Sequence, residues 1–237
     1  MRQDITNTDH SPGGCCMSFA DERELAEVRM IEEGGLRSAY DGGDTEGGVI
    51  KAFSSLRDFA VYLVHLDITA EHELDAKALI IAMGDIGREA AQKRMEEASI
   101  SSVSSLGEVA VEAVYEERES LALKALSVLG SLALEFGGKG MDAAAKSAAE
   151  SLANVGKASS KKKMEVLTGL SEVYLMQLSM KAMEEKLSVT WNISLNLLGE
   201  IGVLSAEKAM ENNAVGGLQS SLRHLALLPQ GKRMNSG

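Results

Sequence analysis

The sequence predicts an all-α protein, an α-solenoid of about eight to nine antiparallel helices, and three observations predict it. Aromatic residues make up 4% of the 237 positions and only two prolines occur, which argues against a sandwich or a barrel. Apolar residues recur at helical rather than alternating spacing. A pattern of small, apolar, Lys, Met and acidic residues returns about every 23 positions, so two units make a 46-residue helix pair. The charge balance is 24 Lys plus Arg against 35 Asp plus Glu, a net −11. That argues against a broad electrostatic grip on nucleic acid or on an anionic membrane.

Residues 1–48 read as an acidic, glycine-rich, partly disordered arm with one short helix at about 18–33. Ser18 and Asp21 have the spacing of a capping box, and Gly34-Gly35 supply the stop. Asp41 to Gly48 reads as a loop. The first 20 residues contain no apolar core of a secretory signal, and the adjacent Cys15 and Cys16 are too close for a disulfide framework. These features lead us to expect a reduced, cytoplasmic setting. The longest apolar stretch, Leu121 to Leu134, fits a buried helix better than a membrane span.

Helices are then expected over Val49–Leu66 and Ala70–Met95, and repeating units start at Gly84, Gly107, Gly130, Ala153, Glu172 and Gly199. The first four starts are 23 apart. The last two intervals, 19 and 27, read as a four-residue deletion compensated by an equal insertion. The third column is apolar (Ile86, Val109, Leu132, Val155, Tyr174, Ile201) and the fourth mostly small (Gly87, Ala110, Ala133, Gly156, Gly202, with Leu175 the exception). Lys93, Lys139, Lys162, Lys181 and Lys208 form a lysine column broken by Glu116. Met95, Met141, Met164, Met183 and Met210 form a methionine column broken by Arg118. An acid follows each: Glu96, Glu119, Asp142, Glu165, Glu184, Glu211. Lysine suits a helix C-terminus and the acid the next N-terminus, with methionine as an apolar plug between neighbours. Ile100, Val103, Leu106, Ala110 and Val114 fall on one face, so a single helix crosses the Gly107 boundary.

One such unit cannot offset the entropy of ordering its own chain, so the units must share faces with their neighbours. Gly84 with Gly87, and Gly199 with Gly202, lie three apart and predict close helix approach. Leucine at Gly87 or Gly202 is therefore expected to destabilise far more than alanine. Ala214–Leu228 reads as a closing helix ended by Pro229, and residues 229–237 as a disordered tail; the repeat domain thus spans 49–228.

The segments Met83-Gly84-Asp85-Ile86-Gly87, Leu106-Gly107-Glu108-Val109-Ala110 and Leu198-Gly199-Glu200-Ile201-Gly202 resemble the helix motif of HEAT-like and armadillo-like repeat proteins. The proline and the Asp/Arg pair common in HEAT hairpins are absent. The resemblance implies a curved helical stack whose extended surface binds other proteins.

Chemistry-bearing clusters are few. His65, Asp67, Glu71, His72, Glu73 and Asp75 form the densest set of metal-ligand types, but His72-Glu73 lacks the second histidine of a zinc-protease helix. Asp41, Asp44 and Glu46 do not have the spacing of an EF-hand. No phosphate-binding loop occurs, and Lys161-Lys162-Lys163 is the only basic run. Trp191 and Tyr174 read as packing before pocket-lining, and His10 and His224 have no informative partners. We expect no catalytic, cofactor or metal site and no enzyme activity. The expected role is a protein-binding scaffold of unknown partner, with self-association through the end helices as the alternative. An accessory subunit with a metal near His65 and His72 is a more distant one.

Overall fold

The computed structural model describes residues 46–66, 70–208 and 210–226. The short helix expected near 18–33, Cys15, Cys16 and the tail lie outside them. Eight helices follow one another: α1 (Glu46–His65), α2 (Ala70–Gln92), α3 (Glu96–Tyr115), α4 (Glu119–Gly138), α5 (Asp142–Lys161), α6 (Glu165–Glu184), α7 (Ser188–Glu207) and α8 (Glu211–Ala226). No strand occurs among the described residues. Each helix from α1 to α6 packs against the next and the next but one, so the odd helices form one layer and the even helices a second. This is an all-α helical repeat. α1 takes in Glu46 to Gly48, which the sequence pattern assigns to the preceding arm.

The period is more regular than the sequence pattern suggests. Helices α3 to α8 start at a constant interval of 23 residues, with no compensated deletion. The Met183-Glu184 pair imitates a junction but ends α6, where Met183 is 44% exposed; the plug is Leu187, at 8%. A shift of four residues preserves a helical face, so apolar periodicity does not detect the slip. In the constant interval Leu178 and Ser179 replace Tyr174 and Leu175, and the fourth column is small throughout: Gly87, Ala110, Ala133, Gly156, Ser179, Gly202. The one true insertion lies before α2, since α1 and α3 start 50 residues apart, four more than two units.

The junctions from α2–α3 to α6–α7 are all built the same way. The amide of Met95 donates to the Ala90 carbonyl (2.9 Å) and that of Arg94 to the Ala91 carbonyl (3.2 Å); the same pair recurs at Arg118 and Glu117, Met141 and Gly140, Met164 and Lys163, and Leu187 and Lys186. This is the Schellman ending, in which one residue turns left-handed and the next packs back on the helix. The left-handed residues are Arg94, Glu117, Gly140, Lys163 and Lys186. The following residue opens the next helix without a side-chain cap. Arg118 breaks the methionine column because its side chain reaches across to α1, where Nη2 donates to the Leu66 carbonyl just past the helix end (3.1 Å).

Helix N-termini are capped from the neighbouring helix instead. Glu46 of α1 accepts from the Ala98 amide in the first turn of α3 (3.2 Å). Asp142 of α5 accepts from the Thr190 amide (3.3 Å) and hydroxyl (2.6 Å) in the first turn of α7. In the even layer Asn213 of α8 donates instead to the Glu165 carbonyl of α6 (3.2 Å), a tie between helices rather than a cap. Residues at helix starts thus tie helices of one layer together, and the acids among them also meet the helix dipole.

Small residues set the layer spacing. A Cβ on Gly130 would overlap the Tyr174 ring, and one on Gly202 would stand 3.0 Å from the backbone nitrogen of Leu218. Even alanine at Gly202 requires the α8 backbone to give by a few tenths of an ångström, so the expected gap between alanine and leucine narrows there. Helix α4 is long and apolar enough to cross a membrane by length and composition, and 61% of that window is buried inside the stack.

Candidate functional site

An open groove of about 940 Å³ runs across the outer surface of α1, α3 and α5. The repeat places it. Within each odd helix the apolar positions turn inward between the layers, and positions such as Glu108, Asn154 and Glu200, 46 apart, recur on the outside. Val61, Val111 and the small Gly107 and Ser151 form the floor of the groove, while Arg57, Glu108, Glu112, Glu150, Lys157 and Lys161 line its walls. Tyr115 stands at the end of α3, 44% exposed.

In the ion pairs that cross between helices of this layer the basic partner comes from α1 or α5 and the acidic one from α3 or α7, while Asp58 of α1 and Glu150 of α5 also line the groove. Arg57 of α1 pairs with Glu108 of α3 (3.2 Å) and with its own neighbour Asp58 (2.7 Å). Those partners, Asp58 first, raise the guanidinium pKa further above an already high value. His65 Nε2 and Nδ1 of α1 lie 3.6 and 3.4 Å from Glu112 and Glu116 of α3. Lys162 at the end of α5 meets Glu117 (3.0 Å), and Lys157 of α5 meets Glu200 of α7 (2.5 Å). These pairs are substantially exposed, so each contributes at most about 1 kcal/mol. Their larger effect is to present fixed basic and acidic groups to whatever lies in the groove.

The clusters noted in the sequence are dispersed over several roles. Glu73 is paired with Lys77 (2.6 Å), which, with Ser120 of α4, holds its carboxyl below the usual range. His65 belongs to the odd layer's charge pattern, while His72 lies on α2. Asp67 lies outside the described residues, as do Asp41, Asp44 and His10; Glu46 caps α3. Among the described residues no group of three His, Cys, Asp or Glu side chains is placed to hold a metal ion. Of the basic run, Lys161 lines the groove, Lys162 is paired and Lys163 is the left-handed junction residue. Tyr174 fills the space over Gly130, and Trp191 packs half-buried against the core.

One polar group escapes the sequence pattern. Glu172 on α6 is 7% exposed, in a column otherwise occupied by Ile80, Val103, Leu126, Ala149 and Leu195. Its Oε1 has no hydrogen-bond partner, and Gly216 and Gly217 of α8 leave room for the carboxyl. Burial pushes its pKa up to about 7, opposed only by the Asn213 amide. The shifted interval hides it, by making Glu172 the first residue of a unit rather than a core position.

Compared with family models, curated proteins and solved structures, the chain finds no match in any of the three.

Proposed function

We propose that the protein is a non-enzymatic, cytoplasmic protein-interaction scaffold of the HEAT-like or armadillo-like kind, with the groove across α1, α3 and α5 as its binding surface. The observation that carries this reading is the groove itself: long, open, and lined by charges fixed on rigid helices rather than on loops. A segment of a partner protein that crosses α3 and α5 meets Glu108 and Glu112 and then Lys157 and Lys161, with Glu150 beside them. Its own basic and acidic residues are thereby put in register, which gives specificity more than raw affinity.

A tagged full-length chain, used to capture partners from native extract, tests this against a charge-reversed version carrying Glu108→Lys, Glu112→Lys and Lys157→Glu. The expected result is a stoichiometric protein held by the native chain and lost by the reversed one. Capture of the same proteins by both would remove the groove from consideration.

A further inference from the structure

The outward face of α6 carries an apolar stripe, interrupted midway by the exposed Gln177. Val166, Val173, Met180 and Met183 are 63%, 43%, 46% and 44% exposed, and Leu170 and Met176 lie half-buried among them. Steps of three and four residues keep all six on one side of the helix. The same places on α4, 46 residues earlier, hold Ser120, Lys124 and Ser127 where α6 has Val166, Leu170 and Val173. The stack therefore tolerates polar residues at these three places, whereas at the place of Met180 α4 carries Leu134. α2 repeats the first half with Leu74 and Ile81, but then carries Arg88 and Gln92 where α6 has Met180 and Glu184. A stripe of this kind on one helix marks a contact surface, and methionines suit it because they adapt to an opposing face.

We propose that this face of α6 docks on the same face of a second copy of this chain, antiparallel about a two-fold axis near Val173 and Gln177. Charge selects both the occupant and the direction. Lys163 precedes the stripe and Glu184 ends it, both exposed. A parallel pair would set lysine against lysine and glutamate against glutamate. An antiparallel pair sets each Lys163 beside the Glu184 of the second copy, at both ends at once, as an isologous interface requires. Glu184 already accepts from Lys181 of its own helix (3.1 Å), and a carboxylate 58% exposed keeps further lone pairs for a second cation. The interface lies on the even layer, so both grooves of the odd layers stay open. A dimer would then hold a bivalent partner with an avidity that one chain lacks.

The repeat supplies substitutions already carried at the matching positions of other units. One unit earlier, α5 carries Glu150 and Lys157 in the places of Val173 and Met180, and Lys161 in the place of Glu184; two units earlier, Glu117 stands in the place of Lys163. Light scattering on the full chain at micromolar concentration is expected to give twice the 25.2 kDa chain mass. Val173→Glu with Met180→Lys should give the single-chain mass with unchanged helical circular dichroism. Lys163→Glu alone and Glu184→Lys alone should each weaken the dimer about tenfold, and the two together in one chain should restore it. A monomeric native chain, which would leave the stripe to a different partner or to residues 1–45, overturns the proposal. So does a mass that grows beyond two chains, a dimer indifferent to Met180→Lys, or a failure of the double exchange to restore it.

Discussion

Glu172 shows how much one residue's meaning depends on its column. In the constant 23-residue interval it is the single acid among core positions, 7% exposed and facing two glycines of α8. No charged side chain contributes to its shifted pKa. Because its folded pKa is about 7 against 4.5 for an unburied glutamate, the folded protein binds the proton more tightly than the unfolded chain. Stability is therefore greatest below about pH 4.5 as far as this group is concerned, falls as pH rises toward 7, and is flat above. The cost above neutrality is roughly 3 kcal/mol, at about 1.4 kcal/mol per pKa unit. Glu172→Gln should remove that slope, so urea denaturation at pH 5.5 and pH 8 should separate it from the native chain chiefly at the higher pH. An identical slope in both proteins would assign the pH dependence elsewhere.

At the scale of the element, the junctions carry the most information. Lysine, methionine and acid at helix ends are legible because each answers a local need: the dipole, the apolar contact of the Schellman ending, and the open N-terminal amides. Which residue turns left-handed is not legible, because four of the five described positions hold Arg, Glu or Lys rather than glycine. A left-handed non-glycine residue costs roughly 1–2 kcal/mol, part of which glycine returns as chain entropy in the unfolded state. Lys186→Gly and Arg94→Gly are thus each expected to raise stability by about 0.5–1 kcal/mol, and Gly140→Ala to lower it by about 1 kcal/mol. Thermal melts of the three variants check this, and a loss on Lys186→Gly would count against the account. The capping of α7 by Asp142 is also beyond the sequence, since the partners stand 48 residues apart.

For the whole molecule, the two-layer arrangement makes pairs of units interchangeable in a way that single units are not. Each helix contacts only its next two neighbours, so stability accumulates along the stack. Deleting residues 142–187, one full α5–α6 pair, joins α4 to α7 and keeps odd and even helices alternating. We expect that chain to unfold cooperatively, with a denaturant slope reduced in line with its smaller buried surface. Deleting only residues 142–164 joins α4 to α6, two helices of the same layer, and should abolish the cooperative transition. Equal cooperativity in both would contradict the two-layer account.

The sequence by itself determined the fold class and the repeat, because both rest on local chemistry: helical apolar spacing, small residues at close contacts, and charges matched to helix ends. The constant interval is within reach of the fourth column, which is small in all six units, but Met183-Glu184 imitates a junction and four residues leave a helical face unturned. Only the tertiary structure decided where the insertion lies, which helix caps which, and that Glu172 is buried. The same holds for the groove formed by α1, α3 and α5. Those properties depend on side chains 40 to 50 residues or so apart being brought together, and that distance is fixed by how whole helices stack rather than by any run of neighbouring residues.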